Sequence, residues 1–371
     1  MNETRIVATR KWKNLIKGIC LLVALMFVWA VYLGVRYVVP ALLFVREDSW
    51  KEFQHGASLD TQTPSMSPDG RHVVYAAACT GHGDIYATNL IDGSSMQLTR
   101  EMAFEASPIY AMDGQKIVFA KEENGRRRIW IMDHDGTNQR QLTHGNVLDT
   151  PFETSPDGKH VLFFRTRRPL IGQGKEAFAF TIPIDATDGG AVCVGYSAIY
   201  TPDSRGIVFS ENMDDLWFFA LDEPNPKRRP HAGRGWPIGF SRNGRYLLTG
   251  RYTPGEPWNH DSEIWLRDLQ EETEIKIGNG RGAGLCGVGE NQVFYFKGYD
   301  SVLYASTIDA RQTRQVPIRT GHKTWPRVVH DGSGLLLGVS DKFNSADFEI
   351  IFVTADTLAV TVVDSVKCGG K

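Results

Sequence analysis

Apolar positions follow two regimes along the chain. Residues 18–35 read GICLLVALMFVWAVYLGV, without a charge, and the apolar stretch continues past Arg36 through residues 37–45. A run of that length matches a helix that crosses a bilayer. A soluble core helix would not be apolar on every face. From residue 63 onward the pattern changes to short apolar runs separated by turn residues, which predicts strands.

The turns recur. Residues 67–70 and 155–158 both read Ser-Pro-Asp-Gly. Between and after them come Met112-Asp113-Gly114, Pro202-Asp203-Ser204, Ser241-Arg242-Asn243-Gly244, Gly289-Glu290-Asn291 and Asp331-Gly332-Ser333-Gly334. Ser at the first position, Pro at the second and Gly at the fourth suit a type I turn. A short apolar strand follows each: Val73–Tyr75, Ile117–Phe119, Val161–Phe164, Ile207–Phe209, Tyr246–Leu248, Val293–Phe296 and Leu335–Leu337. Their near-continuous apolarity predicts cover on both faces. A loop and a third strand come next, as at Ile129–Ile131 and Ile264–Leu266, then a second turn and a last strand such as Gln141–Thr143.

Four short strands in every 40–50 residues or so is the pattern of a propeller blade. The fold class is therefore all-β: a β-propeller of seven four-stranded blades, with six as the alternative count, preceded by one transmembrane helix. The expected organisation is a cytoplasmic tail (1–17), the anchor (18–45), a linker or ring-closing strand (46–62), the propeller (63–366) and a tail (367–371).

Charge orients this arrangement. Residues 1–44 carry six basic side chains and one acid, leaving 35 basic and 42 acidic residues of the 41 and 43 in the chain for the remainder. Five Lys/Arg precede the apolar run, and Arg36, Arg46 and Lys51 follow it closely. The positive-inside rule puts the N-terminus in the cytoplasm and the bulk outside, on the periplasmic side of a bacterial inner membrane. A cleaved signal peptide is the alternative, with Val28-Trp29-Ala30 as a loose cleavage match. An acidic body excludes a phosphate-neutralising surface, so no nucleic acid is expected. The five cysteines have no metal-ligand or redox spacing and read as isolated thiols.

Glu105–Thr143 contains Ser107-Pro108, Asp113-Gly114, Ile117-x-Phe119, Ile129-Trp130-x-Met132-Asp133, Asp135-Gly136 and Leu142-Thr143. In these residues the chain resembles the TolB-like propeller repeat, a WD40-like family. The likeness is closest over 63–100 and 105–144. It implies an extracytoplasmic scaffold that binds proteins or other ligands. Other relatives carry a hydrolase domain behind the propeller, but no Gly-x-Ser-x-Gly elbow occurs in the sequence, which disfavours a peptidase.

Within a blade, the loop between strands two and three shares a face with the link to the next blade. Candidate ligand-binding residues on that face are Arg167, Arg168, His231, Arg234, Trp236, Arg251, Trp258, His260, His322 and Trp325. Arginine pairs with anionic groups and tryptophan stacks on rings, so an anionic or sugar-like ligand is expected. His231, His260 and His322 are the only metal candidates, without diagnostic spacing. A resemblance to oligogalacturonate lyases, which place metal-binding histidines in a propeller, makes a metal-dependent polysaccharide lyase or hydrolase the alternative. The leading expectation is a binding scaffold for an envelope protein or polymer, held to the membrane by its N-terminal helix, without catalysis or cofactor.

Overall fold

The structure is a computed structural model that describes residues 63–368, apart from 81, 112–113, 167–176, 187–190, 224–227, 253–260, 287–290, 299–300, 325 and 342–346. The predicted tail and anchor (1–45) and the segment 46–62 lie outside the described residues. Among the described residues every regular element is a strand, and no helix is long and apolar enough to cross a membrane.

The turn chemistry builds the repeat. In the first turn Ser67 Oγ donates to Asp69 Oδ1 (2.5 Å), Gly70 N donates to Ser67 O (2.9 Å), and His72 N donates to Ser67 Oγ (2.9 Å). Gly70 takes φ +70, the left-handed conformation that glycine adopts without steric cost. The same bonds recur at Ser155/Asp157, Thr201/Asp203 and Ser241/Asn243. These contacts hold the Asp69 and Asp203 carboxyls below the usual carboxylate range, chiefly through the hydroxyl bond.

From each turn the chain enters a buried second strand: His72–Ala77, Lys116–Glu123, His160–Thr166, Gly206–Ser210, Tyr246–Arg251, Gln292–Lys297 and Gly334–Ser340. All seven predicted apolar runs lie inside these strands. Each pairs antiparallel with an inner strand before it and a third strand after it, and the third strand pairs with an outer one. The described strands fall into sheets of four, eight, four, seven and five strands, and this strand order recurs around each of the seven second strands, here numbered units one to seven. The predicted connector Gly278–Gly284 is itself strand: Thr273–Cys286 runs unbroken from the outer edge of unit five into the inner position of unit six. In unit seven the inner position is split into His322–Lys323 and Arg327–Val328.

Cover on both faces comes from neighbouring units. Phe119, Phe163 and Phe209 occupy one position in the second strands of units two to four, and all are fully buried. Ile109, Ile129 and Leu142 of unit two pack with Val161, Phe163 and Ile182 of unit three. Val73 and Tyr75 of unit one pack with Leu336, Phe348 and Ile350 of unit seven. The row of units therefore closes on itself. Thr88 Oγ1 donates to Asp364 Oδ2 (2.6 Å) across the same seam.

Cys79 and Cys368 form a disulfide (S–S 2.01 Å) at that closure. This corrects the expectation of isolated thiols. The two residues are separated by 289 positions, and only ring closure brings the loop of unit one against the end of unit seven. Residues 367–368, assigned to a tail, are thereby tied to the first unit. Replacing Cys79 and Cys368 together by serine should cost about 2–4 kcal/mol. Thermal unfolding of this variant, compared with the parent with and without reductant, checks this; a reductant-insensitive parent transition would contradict it.

Candidate functional site

The meander sends the first and third connections of each unit to one end of the ring and the second and fourth to the other. The latter, the upper face, is where the sequence places its candidates. Their positions differ. Arg167, Arg168, Trp258, His260 and Trp325 lie outside the described residues. Arg234, Trp236 and Arg251 come together where unit four passes into unit five. His231 sits apart on the outer strand Arg228–Arg234, and His322 begins the inner edge of unit seven.

At the junction of units four and five, Gly235 takes φ +94, and a side chain there would stand 2.0 Å from Gly250 O. Only glycine lets the chain turn so tightly from the outer strand to Trp236 in the next inner strand. Trp236 lies over Gly250, and its ring centroid is 4.7 Å from that of Tyr252, which is 42% exposed. Beside this pair Arg234 donates to both oxygens of Asp214, and Gly235 N donates to Asp214 O (2.6 Å).

The arginines are already engaged. Arg251 donates to Glu274 Oε1 (2.6 Å) and lies over the Trp265 ring at 4.5 Å, so it runs along the sheet face. The Asp214 contact raises the Arg234 guanidinium above its ordinary pKa. A receptor of free positive charge is therefore not what this junction presents.

The preceding junction carries a second aromatic pair. Tyr196 follows Gly195, and its ring centroid lies 4.7 Å from that of Phe178, in the third strand of unit three. Tyr196 N donates to Ser210 O (2.9 Å), the position equivalent to Gly250 O. Ser197 Oγ donates to Pro237 O (3.3 Å), which ties the inner strands of units four and five together. The signal for this ledge was a glycine-aromatic dipeptide before an inner strand, present at both places in the sequence.

His231 Nδ1 donates to Ala232 O (2.9 Å) and the ring packs edge-on to Phe240; burial lowers its pKa. Among the described residues no three His, Cys, Asp or Glu side chains are grouped to hold a metal. His231 and His322 belong to no such group among the described residues.

Two enclosed charge systems went unseen in the sequence. Lys121, 2% exposed, lies among Glu101, Glu105 (3.9 Å) and Glu123 (3.5 Å) and over the Trp130 ring. Its counterpart Arg165 makes a two-pronged bond to fully buried Asp149 (2.7 and 2.8 Å) and lies over Phe180. These tie the start of an inner strand to the end of the second strand in units two and three. The other system is Glu153 of unit three and Arg327 of unit seven. Their units are not neighbours in the ring, yet each feels the other's charge, and Tyr200 N donates to Glu153 Oε2 (3.3 Å). Enclosure lifts Glu153 to about 7 and lowers Arg327 to about 10.

At the lower end Arg242 of unit five donates to Asp331 O of unit seven (2.7 Å). A cavity of about 530 Å³ also opens below, between units two and three, beside Lys116, Arg140 and His160. Its cations are spent: Lys116 bonds Asp133, and Arg140 donates to the carbonyls of Ile184 and Ala186.

Residues 49–180, about a third of the chain, match the family described as TolB beta propeller domain. Over that stretch the chain is TolB-like. The Tol-Pal system protein TolB of Anaeromyxobacter dehalogenans is 30% identical over 88 residues, 24% of this chain and 20% of that protein. TolB of Francisella tularensis is 28% identical over 151 residues, 40% of this chain and 34% of that protein. The propeller thus aligns with only about a fifth to a third of the length of these relatives. Among solved structures, an oligogalacturonate lyase in complex with manganese superposes with TM-score 0.56 at 14% identity, covering 82% of this chain and 90% of that one. A second oligogalacturonate lyase, from Vibrio parahaemolyticus, gives 0.53 at 13% identity over 77% and 87%. At such identity the likeness is one of fold.

Two outcomes follow from the buried charges. Arg165→Ala leaves Asp149 buried without its cation and should cost about 3–5 kcal/mol in denaturant unfolding. Burial lifts the Glu105 carboxyl to about 7, from 4.5, against the Thr99 bond and Lys121. The folded protein therefore holds a proton that the unfolded chain has released, and stability falls as pH rises from 4.5 through 7. Glu105→Gln should gain on the parent between pH 5 and pH 8; a pH-independent difference in unfolding midpoint would show that Glu105 is ionised throughout.

Proposed function

We propose that this chain is a membrane-tethered, extracytoplasmic propeller of seven blades that binds an envelope protein or polymer through its upper face, without catalysis. The observation that carries the reading is the pair of exposed aromatic contacts, Phe178/Tyr196 and Trp236/Tyr252, at adjacent junctions on that face. Tyrosine and tryptophan there offer large contact area at small cost in side-chain freedom. Relatives named as Tol-Pal system proteins support an envelope role. The Cys79–Cys368 bond supports an oxidising compartment, since such bonds persist outside the cytoplasm. The 18-residue uncharged run, with its basic flank, supports the anchor and its direction.

A metal-dependent polysaccharide lyase or hydrolase is the second reading, motivated by the fold shared with oligogalacturonate lyases along most of both chains. Metal analysis of the chain purified without chelator separates the two: stoichiometric transition metal would put the enzyme first.

The direct test is cross-linking in intact membranes. Tyr252→Ala should reduce cross-linked adducts of the upper face about tenfold while leaving thermal unfolding unchanged, the loss expected when one aromatic anchor goes. Undiminished adducts would remove this face from the proposal.

A further inference from the structure

The upper-face ledge has a chemistry narrower than binding in general. It combines flat rings with a fixed polar frame. Trp236 and Tyr252 stand next to the Arg234–Asp214 pair, and both partners of that pair are more than half exposed. Asn212 Oδ1 accepts from Asp214 N and Asp215 N, and its amide donates to Asp215 Oδ2 (3.2 Å). Arg234 therefore stands among two carboxylates and an amide, with Arg251, held by Glu274, beside it.

Each class of ligand meets this frame differently. A polyanion is opposed, because Arg234 is already bound to Asp214, and Asp215 adds a second negative charge. An extended proline-rich peptide would lay its rings on aromatics, but its backbone offers mainly acceptors. Asp214 and Asp215 are acceptors too, and would face acceptors without a donor between them. A chain of uncharged sugars fits both requirements. Its hydroxyls donate to carboxylates and accept from guanidinium and amide, and its C–H faces stack on aromatic rings. Aromatic pairs at two adjacent junctions offer separate stacking positions along such a chain.

Resting on the upper-face reading above, we infer that the ligand of this ledge is an uncharged glycan strand, with Trp236/Tyr252 and Phe178/Tyr196 as its stacking sites and Asp214 and Arg234 as its hydroxyl-binding frame.

The experiment is a titration of the full-length chain, solubilised in a detergent without a sugar headgroup. Three probes are compared: a β-1,4-linked N-acetylglucosamine hexamer, a galacturonate hexamer and a proline-rich decapeptide. Calorimetry should show binding of the uncharged hexamer alone. Tyr252→Ala and Trp236→Ala should each weaken it roughly tenfold, as loss of one aromatic stacking contact does. Asp214→Asn, which keeps the rings, should weaken it while leaving the galacturonate hexamer no worse bound. Trp236 lies against Gly250, so its variant could lose structure; Tyr252→Ala, at an exposed position, keeps the test decisive. Binding of the galacturonate hexamer or the decapeptide in place of the uncharged hexamer, lost with Tyr252→Ala, would overturn the glycan while keeping the face. Binding of any probe that survives both aromatic variants would overturn the face itself. Silence from all three probes, with cross-linked adducts still sensitive to Tyr252→Ala, would overturn the glycan and leave a protein partner on the ledge.

Discussion

A four-stranded sheet with apolar side chains on both faces cannot stand alone in water. Every unit here is of that kind: the second strands bury side chains on successive positions, not alternate ones. Burial of the exposed faces requires a neighbour on each side, and only a closed ring gives every unit two. The seam between units seven and one is therefore where the fold is most exposed to failure. Each of those units supplies its own four strands among the described residues, so no shared strand holds the seam. Apolar packing, the Thr88–Asp364 bond and the Cys79–Cys368 disulfide hold it instead.

Closure also explains the polar architecture. Charges near the inner strands are crowded by neighbouring units and must be paired. Lys121 with its glutamates and Arg165 with Asp149 are such pairs, each stacked on an aromatic ring of the third strand. Arg242 reaches from unit five to Asp331 O of unit seven at the lower end. On the upper face the link into unit four exposes Tyr196 and the loop after the second strand of unit five exposes Tyr252, and glycine at 195 and 235 lets aromatic residues rise beside the next second strand.

The paired state of the arginines changes what the upper face can recognise. A cluster of free guanidinium groups would favour polyanions. Arg234 bound to Asp214 and Arg251 bound to Glu274 present donors and acceptors together, with little net charge. Recognition then falls to ring stacking and to directed hydrogen bonds, which read shape and hydroxyl pattern more than charge.

The sequence by itself determined the repeat. Ser-Pro-Asp-Gly turns and the apolar runs after them are local: hydroxyl, carboxylate and glycine act within five residues, so their chemistry is visible in the string. The second strands and the four-stranded units follow from it, even in unit six, where the turn motif is absent. Arg234 and Trp236 could be singled out because they flank the turn between two units, one ending a strand and the other beginning the next. What the tertiary structure alone decided was pairing across the ring. Cys79 with Cys368, Arg251 with Glu274 and Trp236 with Tyr252 join residues whose neighbourhood exists only once strands have paired and the sheets have stacked. Spacing along a chain carries no record of such meetings, because the register between units is set by side-chain packing over the whole ring.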